Sequence, residues 1–225
     1  TYIRNFQTSD NLSAENYKFD ITQLPEQAKY TNLAVTAGQE GVVELNGCSV
    51  EILKTDTQDE FDKAWNSLGM YDEKDCNIYS LIMNMHGTPT EIFSDVGSSP
   101  MRMSIQDVEK LKTKPVQRLV LLQCSVGKIE KAGENIASAF ARAVTGKVLA
   151  GDGVVNQNEV RTKEYENSGD TFYKDNQNIF VRYYVDDEGW YIYKHDWNER
   201  IVKYTYAAPN GKMYRLYQLI NMLDI

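Results

Sequence analysis

Leu81-Ile82-Met83-Asn84-Met85-His86-Gly87 and Leu119-Val120-Leu121-Leu122-Gln123-Cys124-Ser125-Val126-Gly127 are the two stretches that decide how this chain is read. Each is an apolar run that stops at a reactive side chain with a glycine close behind. Apolar runs of this length, without polar alternation, suit strands buried on both faces. As neighbouring strands of one sheet they would bring His86 and Cys124 out together at its edge.

The surrounding segments supply the rest of an α/β layer. Leu33–Thr36 reads as a short strand, and Val42–Leu45 and Val50–Leu53 flank the turn pair Asn46-Gly47 as a hairpin. Asp56 is placed to cap a helix over 57–68, with Phe61, Ala64, Trp65 and Leu68 on one face. Thr90–Phe93 reads as a short strand beside the one ending at His86. Ser104-x-x-Asp107 opens a helix to about Lys112, and Pro115 separates it from the strand ending at Cys124. Residues 134–145 carry one apolar stripe and should form a helix stopped by Gly146. Val148–Ala150 is a further buried strand, ending at Gly151-Asp152-Gly153.

Strand and helix thus alternate from 42 to 153, which predicts an α/β fold with a mostly parallel sheet flanked by helices. The division expected is an N-terminal arm over 1–30, a core over 31–155, and C-terminal strands and a helix over 156–225 packed on that core as one domain. Phe180–Val185, Gly189–Tyr193 and Ile201–Tyr206 predict an antiparallel, aromatic-rich extension, with a last helix over 213–223. The stretches 94–103 and 156–170 read as loops open to processing.

Bulk properties exclude several classes of function. The 225 residues carry a net charge of −8, which disfavours nucleic acid and anionic membrane surfaces as partners. No apolar stretch approaches the roughly 20 residues of a membrane span. The cysteines Cys48, Cys76 and Cys124 form no CxxC pair and no cluster with the two histidines, so neither a zinc site nor any other cofactor is expected. The chain opens on Thr1, which reads as a processed product or part of something larger.

In an open parallel sheet, ligands sit beyond the carboxyl ends of the strands, where both His86 and Cys124 fall. An imidazole can take the proton of a thiol, and the backbone amides of Gly87 and Cys124 are natural donors to an oxyanion. That constellation suits attack on a carbonyl carbon.

The order of apolar strand–His86-Gly87, helix, apolar strand–Cys124-x-x-Gly127, followed by the helix Glu134–Phe140, resembles the caspase-like (clan CD) cysteine peptidases. These include clostripain, gingipain, legumain, separase and the autoprocessing protease domains of large bacterial toxins. The resemblance covers roughly residues 42–155. It implies a caspase-like fold, a cysteine endopeptidase with Cys124 as nucleophile and His86 as base, and an oxyanion hole of the Gly87 and Cys124 amides. The implied partner is a polypeptide substrate, the chain's own precursor among them, in a larger bacterial toxin or effector. An acid two residues before the cysteine would select a basic side chain in clostripain-like members; here that position is Leu122. A second acid in the loop after the next strand falls at Asp152. Asp152 and Ser125 are therefore the candidates for substrate contact, although turn formation is the plainer reading of both. The basic patch that binds inositol hexakisphosphate in toxin domains has no counterpart among Lys112, Lys114 and Arg118.

Two other readings remain open at this stage: a catalytically inactive caspase-like interaction module, and an acyl-transfer effector using the same dyad. His195 is the one alternative base. Cys48 and Cys76 read as inert.

Overall fold

Alternation along the apolar runs assigns each side chain to a face, and the computed structural model bears that pattern out. It describes residues 32–36, 41–45, 48–68, 78–95, 98–161, 172–174, 177–214 and 216–224. The arm expected over 1–30, the turn Asn46-Gly47 and Cys76 lie outside the described residues.

The strands β1 (Asn32–Thr36), β2 (Gly41–Leu45) and β3 (Cys48–Lys54) lead into the helix α1 (Gln58–Ser67). Next come β4 (Ile78–Asn84), the two-residue β5 (His86–Gly87), β6 (Glu91–Phe93), β7 (Arg102–Ser104) and α2 (Ile105–Glu109). Then follow β8 (Val116–Leu121), α3 (Ile136–Ala143), β9 (Lys147–Gly151) and β10 (Val155–Arg161). The chain closes with β11 (Phe172–Lys174), β12 (Gln177–Val185), β13 (Gly189–Asp196), β14 (Ile201–Pro209) and α4 (Leu216–Asn221).

Among the described residues the main sheet has eight strands in the order β14-β13-β9-β8-β4-β1-β3-β2. Its centre, β9-β8-β4-β1-β3, is parallel throughout. The outer strands β2, β13 and β14 are antiparallel to their neighbours. Two small sheets, β10-β12-β11 and β5-β6-β7, are antiparallel as well. The fold is therefore mixed α/β with a mixed sheet, parallel across its five central strands and antiparallel at its edges. Parallel pairing is confined to strands joined by long connections. The short turn 197–200 returns the chain antiparallel from β13 to β14, as a two-strand hairpin must.

The central strands bury both faces. Leu81, Met83, Leu119, Leu121, Val148 and Ala150 point to one side, where Phe61 and Trp65 of α1, Val108 of α2 and Phe140 of α3 cover them. Ile82, Val120, Leu122 and Leu149 point to the other, under Tyr183, Val185, Trp190, Tyr214, Leu219 and Leu223. This double burial is why the strands read as unbroken apolar runs.

Local signals are displaced by one to three residues. Thr57, not Asp56, caps α1: its hydroxyl accepts from the Glu60 amide, while Glu60 Oε2 accepts from the amides of Asp56 and Thr57. The α2 helix starts with the expected Ser104–Asp107 capping box but ends at Glu109 rather than Lys112. The stretch 156–161, expected as part of a loop, is strand β10. Gly146 does not terminate α3, which ends at Ala143 with Val144 already extended. Its amide donates instead to the Val116 carbonyl at 2.9 Å, and its missing side chain lets β8 approach at Gln117.

The Ser104–Asp107 box also carries a pH dependence. Lys110, then the Ser104 hydroxyl and amide, hold the Asp107 carboxyl down from 3.8 to about 2. A carboxyl depressed in the folded state stabilises it above the unfolded pKa, and that contribution is lost as pH falls from near 4 toward 2. The side chain is 44% exposed, so screening limits the effect to less than about 1 kcal/mol. Urea midpoints of wild type and Asp107→Asn should differ near pH 5 and converge by about pH 2.

Candidate active site at the ends of β4 and β8

The last paired residues of β4 and β8 are Met83 and Leu121, and the Leu122 amide carries the ladder one step further to the Met83 carbonyl at 2.9 Å. His86 and Cys124 each lie three residues beyond those partners, at the same end of adjacent strands. Neither ends its strand directly, which corrects the expected boundaries. The apolar runs outlast the strands because Met85 and Leu122 are buried in the loops that leave the sheet. Among the parallel strands β1 lies between β3 and β4, so the order switches direction beside β4, the position where open α/β sheets form a crevice.

The two loops touch. A Cβ on Gly87 would lie 2.6 Å from both Gln123 Cβ and Val126 Cγ1 and 3.2 Å from the Cys124 carbonyl oxygen. Only a residue without a side chain allows this approach.

The start of α3 ties the loops together. The Ile136 amide donates to the Pro89 carbonyl in the His86 hairpin at 3.0 Å, and the Ala137 amide donates to the Val126 carbonyl in the Cys124 turn, also at 3.0 Å. Asn135 caps the same helix, its Oδ1 accepting from the Ser138 amide at 2.8 Å. Its Nδ2 donates to the Lys128 carbonyl and to the Tyr193 hydroxyl, and that hydroxyl donates to the Gly127 carbonyl at 2.8 Å. Burial pushes the Tyr193 phenol far above its ordinary range, so it stays a donor. Tyr193→Phe should cost about 1–3 kcal/mol, because it leaves the buried Gly127 carbonyl and one Asn135 donor unsatisfied. Chemical denaturation with unchanged m would measure it.

Cys124 sits at the head of a strained turn. Ser125 adopts φ 56°, a left-handed conformation uncommon for a residue with a side chain. The Ser125 amide donates to the Gly153 carbonyl at 2.8 Å and the Gly127 amide to the Gly151 carbonyl at 3.0 Å, anchoring the turn to the end of β9. The Cys124 thiol is half-buried, with Sγ 4.0 Å from the Val155 carbonyl. No acceptor for the Cys124 amide is found among the described residues. The Gln123 carboxamide is fully buried and has no partner among the described residues, a cost carried beside the Cys124 thiol.

The His86 ring stands in the small sheet. Its Nε2 lies 3.1 Å from Asp95 Oδ2, and its face stacks on Phe93 with centroids 5.3 Å apart. Asp95 and Phe93 escape a reading of the sequence. They become visible as neighbours only once His86 is known to pair with Phe93, because Asp95 then continues the alternation two residues on.

Asp152 is held by the backbone on both sides of its loop. It is 1% exposed, and its two carboxylate oxygens accept from the backbone amides of Ile129 and Glu188. It pins the loop after the Cys124 turn to the turn before β13. Ser125 is likewise defined by its backbone bonds.

His195 stands at the opposite end of the sheet. In β13, Trp190 pairs with Gly151 at the carboxyl end of β9 while Lys194 pairs with Lys147 at its start. His195 therefore lies away from Cys124 and is not an alternative base. Lys114 donates to the carbonyls of Asn66 and Leu68, and Arg118 pairs with Asp224; both are buried structural cations. The Cys48 side chain is not among those described.

No helix among the described residues is long and apolar enough to cross a membrane. No family model matches the chain, and a search of curated proteins finds no match either.

Proposed function

We propose that this chain is a cysteine peptidase with a caspase-like arrangement, in which Cys124 is the nucleophile and His86 its proton partner. The observation that carries the reading is the seat of Gly87 on the Cys124 turn, which draws the two strand-end loops into contact beside the switch in strand order. The His-before-Cys order and the helix after the cysteine support it from the sequence.

In this reading His86 takes the Cys124 thiol proton, and the thiolate attacks the peptide carbonyl carbon. The carbonyl oxygen becomes an oxyanion that accepts hydrogen bonds from the Gly87 and Cys124 amides. The C–N bond breaks as His86 gives its proton to the leaving amine. Water then adds to the thioester, the C–S bond breaks, and the acid product leaves with the thiol restored.

A peptidyl acyloxymethyl ketone tests the proposal without knowledge of the natural substrate. The expected product is a single adduct on the Cys124 peptide by mass spectrometry, with Cys48 and Cys76 unmodified. An unmodified Cys124 under conditions that saturate accessible thiols elsewhere would favour a binding module. A new peptide bond in the products of a supplied peptide would identify acyl transfer instead.

A further inference from the structure

We propose that Asp95 is a positioning residue for His86, holding the imidazole as the Nε2–H tautomer so that Nδ1 carries the lone pair that serves Cys124. The inference rests on the peptidase reading above and deepens it. An ionised carboxylate can only accept, so the 3.1 Å contact between Asp95 Oδ2 and His86 Nε2 places the proton of a neutral ring on Nε2. The other nitrogen, Nδ1, is bonded to Cγ and lies on the backbone side of the ring. That backbone, one residue on at Gly87, rests against the Cys124 turn.

A second contact sets the plane of the ring. His86, Phe93 and Arg102 are successive cross-strand partners in β5, β6 and β7. The imidazole stacks on Phe93 at an interplanar angle of 23°, and the Arg102 guanidinium lies 5.0 Å from the same ring's centroid. Glu91 holds Arg102 through both carboxylate oxygens, at 3.0 and 2.9 Å. The imidazole is thus held at one edge by Asp95 and on one face by Phe93. The His86 and Asp95 side chains are 41% and 43% exposed, too open for their pairing to matter much to stability. What an exposed carboxylate can still dictate is which ring nitrogen bears the proton.

The full chain labelled with ¹⁵N-histidine provides the test, with His86 assigned by the signals lost in His86→Gln. Iodoacetamide is the probe of Cys124, read on its tryptic peptide. The wild-type ring, at a pH where it is neutral, should show the Nε2–H pattern. In Asp95→Asn the side-chain amide can donate to Nε2, so the tautomer should shift toward Nδ1–H and alkylation of Cys124 should slow roughly 10- to 100-fold. Asp95→Glu should restore the tautomer and most of the rate, which a merely structural role would not require. An Nδ1–H ring in wild type would overturn the proposal, as would an Asn variant with unchanged tautomer and a rate within about twofold. The tautomer needs no substrate to be read. An Nε2–H ring that shifts in Asp95→Asn, in a chain that no ketone captures, would therefore uphold Asp95's hold on His86 and overturn only the peptidase reading.

Discussion

Cys124→Ala is expected to abolish both ketone capture and cleavage of a labelled unstructured polypeptide, a loss of at least about 10³-fold, while leaving the fold intact. The two halves of this expectation have separate causes. In the proposed mechanism every bond made or broken passes through Sγ, and no other thiol stands at the carboxyl ends of β4 and β8 among the described residues. For stability the sulfur matters little: it is half-buried and its polar neighbour is the Val155 carbonyl at 4.0 Å, a weak contact. Alanine keeps the backbone bonds of Ser125 and Gly127 that define the turn. The urea midpoint should therefore move by the equivalent of less than about 1 kcal/mol. Retained cleavage in this variant would exclude Cys124 as nucleophile.

Gly87→Ala should damage the site through geometry. The new methyl would lie 2.6 Å from Gln123 Cβ and Val126 Cγ1, and neither is the free end of a flexible chain. Gln123 and Val126 are fully buried, so they cannot retreat without moving the Cys124 turn or the His86 hairpin. The hairpin is the easier to move, since β5 has only two residues while the turn, besides its bond to α3, is anchored to the end of β9 through Ser125 and Gly127. Overpacking of this kind costs about 1–3 kcal/mol. Separating the loops should also lower the iodoacetamide rate at Cys124 by about tenfold or more, because a displacement near 1 Å already disrupts proton transfer. Measured well below the melting transition, the two losses are independent readouts. A destabilised variant with an unchanged alkylation rate would mean that the loop contact serves folding alone.

How much of this was legible in the sequence depends on the kind of signal. The buried strands were, because Leu81–Met83, Leu119–Leu121 and Val148–Ala150 are covered on both faces and so lack polar alternation. Strand ends were not, because apolar runs report burial rather than pairing, and Met85 and Leu122 are buried outside any strand. The helix caps were nearly legible: Thr57 displaced Asp56 because Glu60 reaches both amides from the third helical position. The aromatic alternation of 189–209 announced strands, but pairing β13 with β9 required knowing which edge was vacant. The proposed pair, His86 and Cys124, was legible through its placement after two apolar runs. Its supports were not: Asn135 and Tyr193 are 58 residues apart, and Asp95 meets His86 only across a hairpin. A turn role for Asp152 was legible from its place between two glycines, but not its partners, the amides of Ile129 and Glu188, which are distant in sequence.

The central claim is that His86 activates Cys124, and the alkylation rate of Cys124 by iodoacetamide at neutral pH, in wild type and in His86→Ala, tests it most directly. The account predicts a wild-type rate above that of the same cysteine in the unfolded chain, falling by about tenfold or more when the imidazole is removed. Equal rates in wild type and His86→Ala, with both proteins folded, would contradict it.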